Sequence, residues 1–274
     1  MDLHAVRYET DRGVATVTLD RPQRLNAWTG RMHSDYRWCL AEAERDPAVR
    51  VVVVTGAGRG FCAGADFEAL ERNVEAGGYD DGTREPLATP GHGVRPEFDH
   101  PFAFHFGMAT PVIAAINGPA AGVGLVLACF CDIRFAAAGA KLTTSAPRLG
   151  LPAEFGLSWV LPRLVGLGHA ADLLLSSRAV QAEEALTIGL VNRVLPLDEL
   201  LPFSLDYARR LASEVSPVSL RETKRQLYAD QHDDVGTAVE RAVELTERMM
   251  GEADYAEGVR AWLDKRPPRF HRPS

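Results

Sequence analysis

The chain of 274 residues has no long hydrophobic run and only four cysteines, Cys39, Cys62, Cys129 and Cys131. No apolar stretch approaches the ~20 residues that a membrane-spanning helix needs, so we expect no contact with a membrane interior. Sparse cysteine is typical of reduced, buried thiols in a cytoplasmic protein. Cys129 and Cys131 are separated by one residue, and no second Cys or His pair lies near them. This spacing does not suit zinc, and we expect no metal site.

The chain also has fewer basic than acidic residues. The chain has 30 Lys and Arg against 37 Asp and Glu, which gives a formal net charge of −7. Because nucleic acids are polyanions and select a basic surface, the composition argues against a nucleic acid as partner. A small phosphorylated ligand needs only a few local cations and stays open. Residues 1–4 lack the basic stretch and apolar core of a signal peptide, so we expect the protein in the cytoplasm.

Hydrophobic residues make up 46% of the chain, enough for a sizeable core in one large domain or in a domain with an appendage. Alternating segments at 4–9 and 13–20, joined by Asp11-Arg12-Gly13, predict a β-hairpin. Apolar positions recur on one helical face from Thr29 to Glu44 and predict a helix. Residues 49–54 are apolar except for Arg50, and this nearly continuous apolar run predicts a strand that is buried on both faces.

Strand-like runs recur at 112–116 and 132–136, with a short apolar helix at about 122–130 between them. This alternation of strand and helix indicates parallel strands. The stretch from Asn73 to Pro101 is rich in Gly, Pro and charge, and predicts a loop region that forms a lid or pocket wall. His100 and His105 lie in a region interrupted by Pro and Gly and are expected to be solvated. After Pro196 four helices are predicted, at 198–213, 216–230, 233–250 and 253–264.

Two glycine-punctuated segments carry the most information. Residues 60–66 read Gly-Phe-Cys-Ala-Gly-Ala-Asp, and residues 117–124 read Asn-Gly-Pro-Ala-Ala-Gly-Val-Gly. Each follows a β-branched apolar run and leads into a segment of helical character. A strand that turns through glycine into a helix leaves unpaired backbone N–H groups. Two such turns side by side direct two donors at one oxygen atom, as in an oxyanion hole. The alternative is that both are ordinary strand-to-helix turns.

Further motifs accompany these two segments along the chain. They are Asp20-Arg21-Pro22, Leu25-Asn26-Ala27, residues 110–118, Cys131-Asp132-Ile133-Arg134, Leu149-Gly150-Leu151-Pro152, residues 161–166, Ala182-Glu183-Glu184-Ala185 and Gly189-Leu190-Val191. In this order the motifs resemble the crotonase superfamily, the enoyl-CoA hydratase/isomerase family, over nearly the full length. The resemblance implies an α/β fold, a right-handed spiral of ββα units with a C-terminal α-helical region. Residues 1–196 then form the core with the acyl-CoA site, and residues 197–274 serve oligomerisation and closure of the active site.

The resemblance also implies the binding residues. The backbone N–H groups of Ala65 and Val123 would bind the thioester oxygen of an acyl-CoA. Arg24 matches a phosphate-facing position, and Lys265 is similar to a C-terminal lysine that reaches the nucleotide, sometimes from the adjoining subunit. For either cation alone, a solvated surface charge is an equally good explanation. The other implied contacts are Leu25, Ala27, Ala63, Asp66, Phe67, Glu68 and Gly122, where Asp66 supports its turn. No cofactor is expected, since coenzyme A is part of the substrate, and a homotrimer or dimer of trimers is implied.

One departure from the family pattern concerns proton transfer. Hydratases of the family hold and activate one water with two glutamates, but Val126 and Ala146 occupy these positions here. Glu154 aligns with an acidic residue that dienoyl-CoA isomerases use as a base. Its apolar neighbours raise the pKa of a buried carboxyl toward a useful value. The alternative is a carboxylate at a helix start that interacts with nearby N–H groups.

Three functions follow from these residues. The leading interpretation is an acyl-CoA enzyme that forms a thioester enolate and shifts a double bond, with Glu154 as the acid and base. A second interpretation is an enoyl-CoA hydratase or acyl-CoA hydrolase in which Glu154 alone activates water. The third is an acyl-CoA-binding protein without turnover, which keeps the two N–H donors but lacks the glutamates.

Overall fold

The chain begins with the predicted hairpin. A computed structural model describes residues 2–76, 83 and 86–270. Strand β1 (Val6–Asp11) pairs antiparallel with β2 (Val14–Leu19). Between them, Arg12 and Gly13 both have positive φ angles, 47° and 82°. Two successive residues with positive φ form the tight turn whose twist matches that of the flanking strands. The hairpin predicted from the alternating pattern is confirmed.

Four more strands extend β2 into a six-stranded sheet. They are β3 (Val51–Gly56), β4 (Val112–Ile116), β6 (Ile133–Ala137) and β9 (Arg193–Leu195), in the order β1-β2-β3-β4-β6-β9. From β2 onward every neighbouring pair is parallel. Every residue of β3 and β4 is buried. The strand predicted at 49–54 therefore begins at Val51, and from Val51 onward its burial on both faces is confirmed.

Three short strands form a second, smaller sheet. It contains β5 (Ala120–Ala121), β7 (Lys141–Thr143) and β8 (Val180–Gln181), in the order β5-β7-β8. In the middle of the chain, one strand of the large sheet, one strand of the small sheet and a helix follow each other twice, as β4–β5–α4 and β6–β7–α5. This repeated ββα unit is the crotonase-type spiral that the resemblance implied.

Six helices belong to the spiral: α1 (Gly30–Arg45), α2 (Phe67–Ala76), α3 (Phe104–Gly107), α4 (Val123–Phe130), α5 (Leu157–Ser176) and α6 (Ala182–Thr187). The Thr29 hydroxyl caps α1 by accepting a hydrogen bond from the Met32 N–H at 3.1 Å. Helix α2 runs past Asn73, where we expected the loop to begin. Part of that predicted loop, 77–82 and 84–85, lies outside the described residues.

The four C-terminal helices are α7 (Leu197–Glu214), α8 (Pro217–Ala229), α9 (Val235–Met250) and α10 (Ala253–Leu263), close to their predicted bounds. Helix α7 covers the outer face of the large sheet through Leu200, Ala208 and Ala212. The main core lies on the other face, against α1, α4 and α5. No helix in the described parts of the chain is long and apolar enough to cross a membrane.

Candidate active site

The structure brings the two glycine-rich turns together. The Cys62 N–H donates to the Pro119 carbonyl at 3.1 Å, and the Ala121 N–H donates to the Cys62 carbonyl at 3.0 Å. Segments 62–65 and 120–123 therefore run side by side. A Cβ atom on Gly64 would lie 3.1 Å from the Ala121 carbonyl oxygen, and Gly64 has a φ of +100°. Glycine is required here by the close approach and by the backbone conformation.

The pairing of Ala65 with Trp28 orients its backbone N–H. In this single parallel bridge the Trp28 N–H donates to Gly64, at 2.7 Å, and its carbonyl accepts from Asp66, at 3.0 Å. The N–H groups of neighbouring residues in an extended segment point to opposite sides. Because Asp66 donates toward Trp28, Ala65 directs its own N–H to the other side, where the second turn lies.

Val123 supplies the second N–H group as the first residue of α4, where no carbonyl of the helix can accept from it. The preceding Gly122 N–H donates to the Thr143 carbonyl at 3.1 Å, which ties this turn to β7. Within the described residues, neither the Ala65 nor the Val123 N–H has a backbone or side-chain acceptor. We call these two groups the donor pair. All eight residues of α4 are buried, and a helix N-terminus favours negative charge.

The Glu154 carboxylate lies next to the donor pair. A Cβ atom on Gly122 would lie 3.4 Å from Oε2 of Glu154 and 3.9 Å from the Cα of Gly64. Glu154 precedes two residues with left-handed backbone, Phe155 at a φ of 44° and Gly156 at 75°. For a non-glycine residue this conformation costs about 1–3 kcal/mol and is frequent at functional sites. The tight turn before α5 thus places the carboxylate beside the donor pair.

Burial raises the pKa of the Glu154 carboxyl above its ordinary value. The side chain is half-buried, and no cation or donor among the described residues opposes this shift. Among the described residues, no side chain accepts a hydrogen bond from the N–H groups at the start of α5. Glu154 therefore does not act as a helix cap. A raised pKa brings a carboxyl closer to the range in which it can both accept and return a proton.

The two positions that hold water-activating acids in hydratases are filled by apolar side chains. Val126 is 0% exposed on α4, one turn after Val123, and Ala146 is 3% exposed. Ala146 begins a 3₁₀ helix that follows β7, the strand to which Gly122 is bonded. Neither residue can carry a proton, so the structure places apolar groups where the resemblance implies two carboxylates.

Asp66 is fully engaged in local structure. Its carboxylate lies 2.9 Å from Nη1 of Arg21 and accepts a hydrogen bond from the Glu68 N–H at 3.1 Å. Burial acts to raise the pKa of Asp66, but the hydrogen bonds from Arg21 and the Glu68 N–H hold it below its ordinary value. An ionised, paired carboxylate at the start of α2 is a poor proton carrier. This agrees with the structural role expected for Asp66.

Most of the other predicted contacts lie around the donor pair. The Ala63 N–H donates to the Leu25 carbonyl at 3.0 Å, which also places Ala27 beside this segment. Arg24 is exposed, with Nη2 lying 3.3 Å from the Glu68 carboxylate. Phe67 is 79% exposed on the first turn of α2.

Lys265 stands apart from these residues. It follows α10 and is exposed, and in the described part of the chain it has no hydrogen bond or ion pair with any other predicted contact. The described residues also hold no cluster of three or more His, Cys, Asp or Glu side chains that could bind a metal.

An aromatic network beside the site was not predicted. His105, expected to be solvated, is 0% exposed, which corrects that expectation, whereas His100 is exposed. Nε2 of His105 lies 2.7 Å from the Tyr36 hydroxyl, and Nδ1 lies 2.6 Å from the Phe102 carbonyl oxygen. Phe102, at a φ of 62°, packs against Trp28 with ring centroids 5.6 Å apart. In the sequence, the recurrence of Phe at 98, 102, 104 and 106 is the pattern that indicates a buried segment here.

Comparisons with known proteins identify the family of the chain. The family model described as enoyl-CoA hydratase/isomerase matches residues 9–273. The chain is 36% identical over 261 residues to the 1,2-epoxyphenylacetyl-CoA isomerase of Escherichia coli, covering 95% of each chain. It is 32% identical over 268 residues to the short-chain-enoyl-CoA hydratase of Clostridium acetobutylicum, covering 97% of each.

Solved structures show the same architecture. A crystal structure of a probable enoyl-CoA hydratase/isomerase from Mycobacterium abscessus superposes with a TM-score of 0.84 at 35% identity, covering 98% of this chain and 99% of the other. The match extends from the hairpin through the C-terminal helices, and the family model spans the same length. The chain therefore belongs to the enoyl-CoA hydratase/isomerase family of enzymes, in the crotonase superfamily.

Proposed function

We propose that this enzyme shifts a double bond in an acyl-CoA thioester, with Glu154 as the acid and base. The observation that carries the proposal is the position of the Glu154 carboxylate, half-buried beside Gly122 and next to the donor pair. Membership of the family supports an acyl-CoA substrate. The Escherichia coli relative, named as an isomerase, supports an isomerisation.

The donor pair forms the oxyanion hole in this proposal. When a proton leaves the carbon next to the thioester, negative charge develops on the thioester oxygen. The N–H groups of Ala65 and Val123 donate hydrogen bonds to that oxygen, and the loss of one such donor typically costs ~10²–10³ in rate. Because both donors belong to the backbone, the side chains at these positions affect the reaction only through their shape.

Glu154 moves the proton. Its carboxylate removes a proton from one carbon of the acyl group, and the electron pair of that C–H bond enters the enolate. The carboxylic acid then returns the proton to the carbon at the other end of the allylic system, so the double bond shifts and Glu154 is restored. One carboxylate is sufficient for this exchange, whereas addition of water usually needs two groups. Among the described residues of the site, Val126 and Ala146 are apolar and Asp66 is paired with Arg21, which leaves the Glu154 carboxylate for this exchange.

A second candidate is hydration or thioester hydrolysis, in which Glu154 alone activates a water molecule. It is favoured by the hydratase name of the Clostridium acetobutylicum relative. It is weakened by the apolar side chains of Val126 and Ala146, because a single carboxylate holds the water less firmly. An acyl-CoA-binding protein without turnover is the third candidate.

We also propose that the protein is a homotrimer or a dimer of trimers, and that Arg24 and Lys265 bind the phosphates of CoA. Arg24 and Glu68 form an exposed ion pair next to the Ala63 segment, where the nucleotide end of the substrate would lie. Lys265 has no described contact with this segment of its own chain. A neighbouring subunit is therefore the better source of a Lys265 that reaches the nucleotide.

The test is solvent deuterium exchange into the carbon next to the thioester of butanoyl-CoA, which needs no knowledge of the natural substrate. We expect Glu154→Gln to lower the exchange rate by at least ~10²-fold, the usual scale of general acid–base catalysis. The affinity for butanoyl-CoA should not change, because the donor pair is intact. Glu199→Gln, at an exposed position on α7, is the matched control and should exchange like the wild type.

Two results contradict the proposal. Exchange that persists unaltered in Glu154→Gln rules Glu154 out as the base. Tight binding of butanoyl-CoA by the wild type, with neither exchange nor turnover of any enoyl-CoA, favours the binding protein without activity.

A further inference from the structure

A cavity of about 350 Å³ opens directly beyond the Glu154 turn. It is surrounded by six ring side chains, and we call it the aromatic cavity. Its ring-bearing walls are Phe98, Phe106, Phe130, Phe155, Trp159 and His232. An apolar cavity of about 150 Å³ is already large enough to bind benzene in other proteins. The aromatic cavity therefore has room for a six-membered ring together with part of a carbon chain.

Two elements extend from the reacting groups to the wall of the cavity. Phe155 follows Glu154 in the chain, and its ring meets Phe102 edge-on at 5.2 Å. Helix α4 begins with Val123 of the donor pair and ends with Phe130, a cavity wall. Eight residues at 1.5 Å each give a helix about 12 Å long. The cavity thus lies at the distance of the far end of an acyl group, beyond the carbons that react.

The walls of the cavity suit an aromatic occupant. Phe106 and Phe130 lie 5.0 Å apart, and Trp159 is stacked on His232 at 5.5 Å. Phe98 meets His232 edge-on at 5.7 Å, with the rings inclined by 68°. The walls therefore offer both ring faces and ring edges. An aromatic ligand gains edge-to-face or offset contacts in such surroundings in addition to its buried area, whereas an alkyl chain gains the buried area alone.

We propose that the aromatic cavity binds the ring of an arylalkanoyl-CoA, an acyl group with an aromatic ring at the end of a short carbon chain. This rests on the proposed function, since the donor pair must bind the thioester oxygen for the acyl group to enter the cavity. Glu97 and His100 line the cavity and are exposed, so they stay hydrated at its rim. His232, the third titratable residue of the lining, is exposed as well, so the inner walls consist of Phe, Trp and Ala side chains, which favours an uncharged ring.

The test fills the cavity with a larger side chain and compares the affinities of the protein for acyl-CoA thioesters with different acyl groups. Ala103 lines the cavity and has helical backbone angles, with φ at −61° and ψ at −22°, so Ala103→Phe introduces a ring without backbone strain. Ala138→Phe, at an exposed position after β6, is the matched control. Dissociation constants are measured by calorimetry for acetyl-CoA, butanoyl-CoA, octanoyl-CoA and phenylbutanoyl-CoA.

In the wild type we expect phenylbutanoyl-CoA to bind at least ~10-fold more tightly than butanoyl-CoA, the scale of burying one phenyl group. It should also bind more tightly than octanoyl-CoA, an alkyl chain of comparable length. Ala103→Phe should remove both advantages and leave the affinity for acetyl-CoA unchanged, while Ala138→Phe should keep them. If Ala103→Phe does not fold, Ala103→Leu makes the same test with a smaller side chain.

The proposal is overturned if the wild type binds phenylbutanoyl-CoA no more tightly than octanoyl-CoA, or if the advantage survives in folded Ala103→Phe or Ala103→Leu. Intact binding of acetyl-CoA in that case leaves the proposed function standing. A wild type that binds none of the four thioesters would overturn both proposals.

Discussion

At the scale of single residues, the first prediction concerns Val126 and Ala146. Both side chains are buried and neither can hold a water molecule for addition to a double bond. We expect hydration of crotonyl-CoA far below the ~10 s⁻¹ of a median enzyme. The loss of absorbance of the conjugated thioester measures it, and turnover near that rate would contradict the expectation.

The converse experiment restores both acids, as Val126→Glu with Ala146→Glu. Only a gain of hydration is informative in this variant. Two new carboxylates in buried positions carry a large desolvation cost, so a loss of activity would report unfolding as readily as chemistry.

The second prediction at this scale concerns the backbone N–H of Ala65. Ala65→Pro removes the N–H donor, and we expect deuterium exchange into butanoyl-CoA to fall by at least ~10². Ala65→Ser keeps the N–H and should be much milder, although it changes the side chain by one oxygen. Circular dichroism establishes that both variants are folded. Equal activity of the two folded variants would show that this N–H does not take part in the reaction.

At the scale of elements, the contact between α1 and α3 makes stability depend on pH. His105 donates from Nδ1 to the Phe102 carbonyl and accepts at Nε2 from the Tyr36 hydroxyl, which requires a neutral ring. Burial lowers the pKa of His105 to about 3. An unfolded histidine has a pKa near 6.5, so the unfolded state binds a proton that the folded state excludes between about pH 6.5 and 3. The contribution of His105 to stability is therefore lost as the pH falls through this range.

The measurement is the free energy of unfolding in urea as a function of pH. We expect His105 to contribute a loss of about 1.4 kcal/mol for each unit between about pH 6 and 4. His105→Asn keeps a donor for the Phe102 carbonyl but has no such titration, so its profile should be flatter than that of the wild type. His100→Asn, at an exposed position, should follow the wild type. Parallel profiles for His105→Asn and the wild type would contradict the assignment.

Secondary-structure elements that are determined by their own residues could be predicted from the sequence. The hairpin follows from its turn residues, and β3 and β4 follow from uniformly apolar runs that require two covered faces. Helix α3 has four residues among prolines and glycines and shows no periodicity, so the burial of His105 depends on packing by distant segments. The same holds for Glu154. Its alignment indicated a base, but its position beside Gly122 results from a contact between segments 32 residues apart in sequence.

At the scale of the whole molecule, a buried ion pair holds α8 against the sheet. Nζ of Lys224 lies 2.8 Å from the Asp132 carboxylate and 3.0 Å from the Thr110 carbonyl oxygen, while the Tyr228 hydroxyl donates to Asp132 at 2.7 Å. Lys224→Met leaves Asp132 buried without its counter-charge. We expect a loss of about 3–5 kcal/mol in the free energy of unfolding, as for other broken buried pairs.

The control for this prediction is Lys141→Met, at an exposed position on β7, which should change stability little. Adding Asp132→Asn to Lys224→Met removes the unpaired charge and should recover part of the loss. The double-mutant cycle then gives the coupling energy of the pair. Equal stabilities of Lys224→Met and Lys141→Met would show that the ion pair does not hold α8.

The last prediction concerns the surface of the last two helices and the association of subunits. Helices α9 and α10 leave large apolar side chains open to solvent, among them Val235, Val239, Val243, Trp262 and Leu263, with Trp262 86% exposed. Exposed apolar patches of this kind mark interaction sites. Since Lys265 follows Trp262 closely, an interface at α10 would also position this lysine for a neighbouring subunit. A variant that fails to assemble should therefore also lose affinity for CoA.

Trp262→Asp places a charge in this apolar surface, and we expect it to raise the dissociation constant of the oligomer by more than ~100-fold, because a buried charge without a partner is costly. Sedimentation velocity should give the mass of three or six chains for the wild type and of smaller species for the variant. Ser213→Asp, exposed on α7, is the control and should assemble normally. Affinity for CoA should fall in Trp262→Asp and in Lys265→Ala, but assembly should fail in Trp262→Asp alone. A wild type that sediments as a monomer, or a Trp262→Asp variant that assembles normally, would contradict the role of this surface.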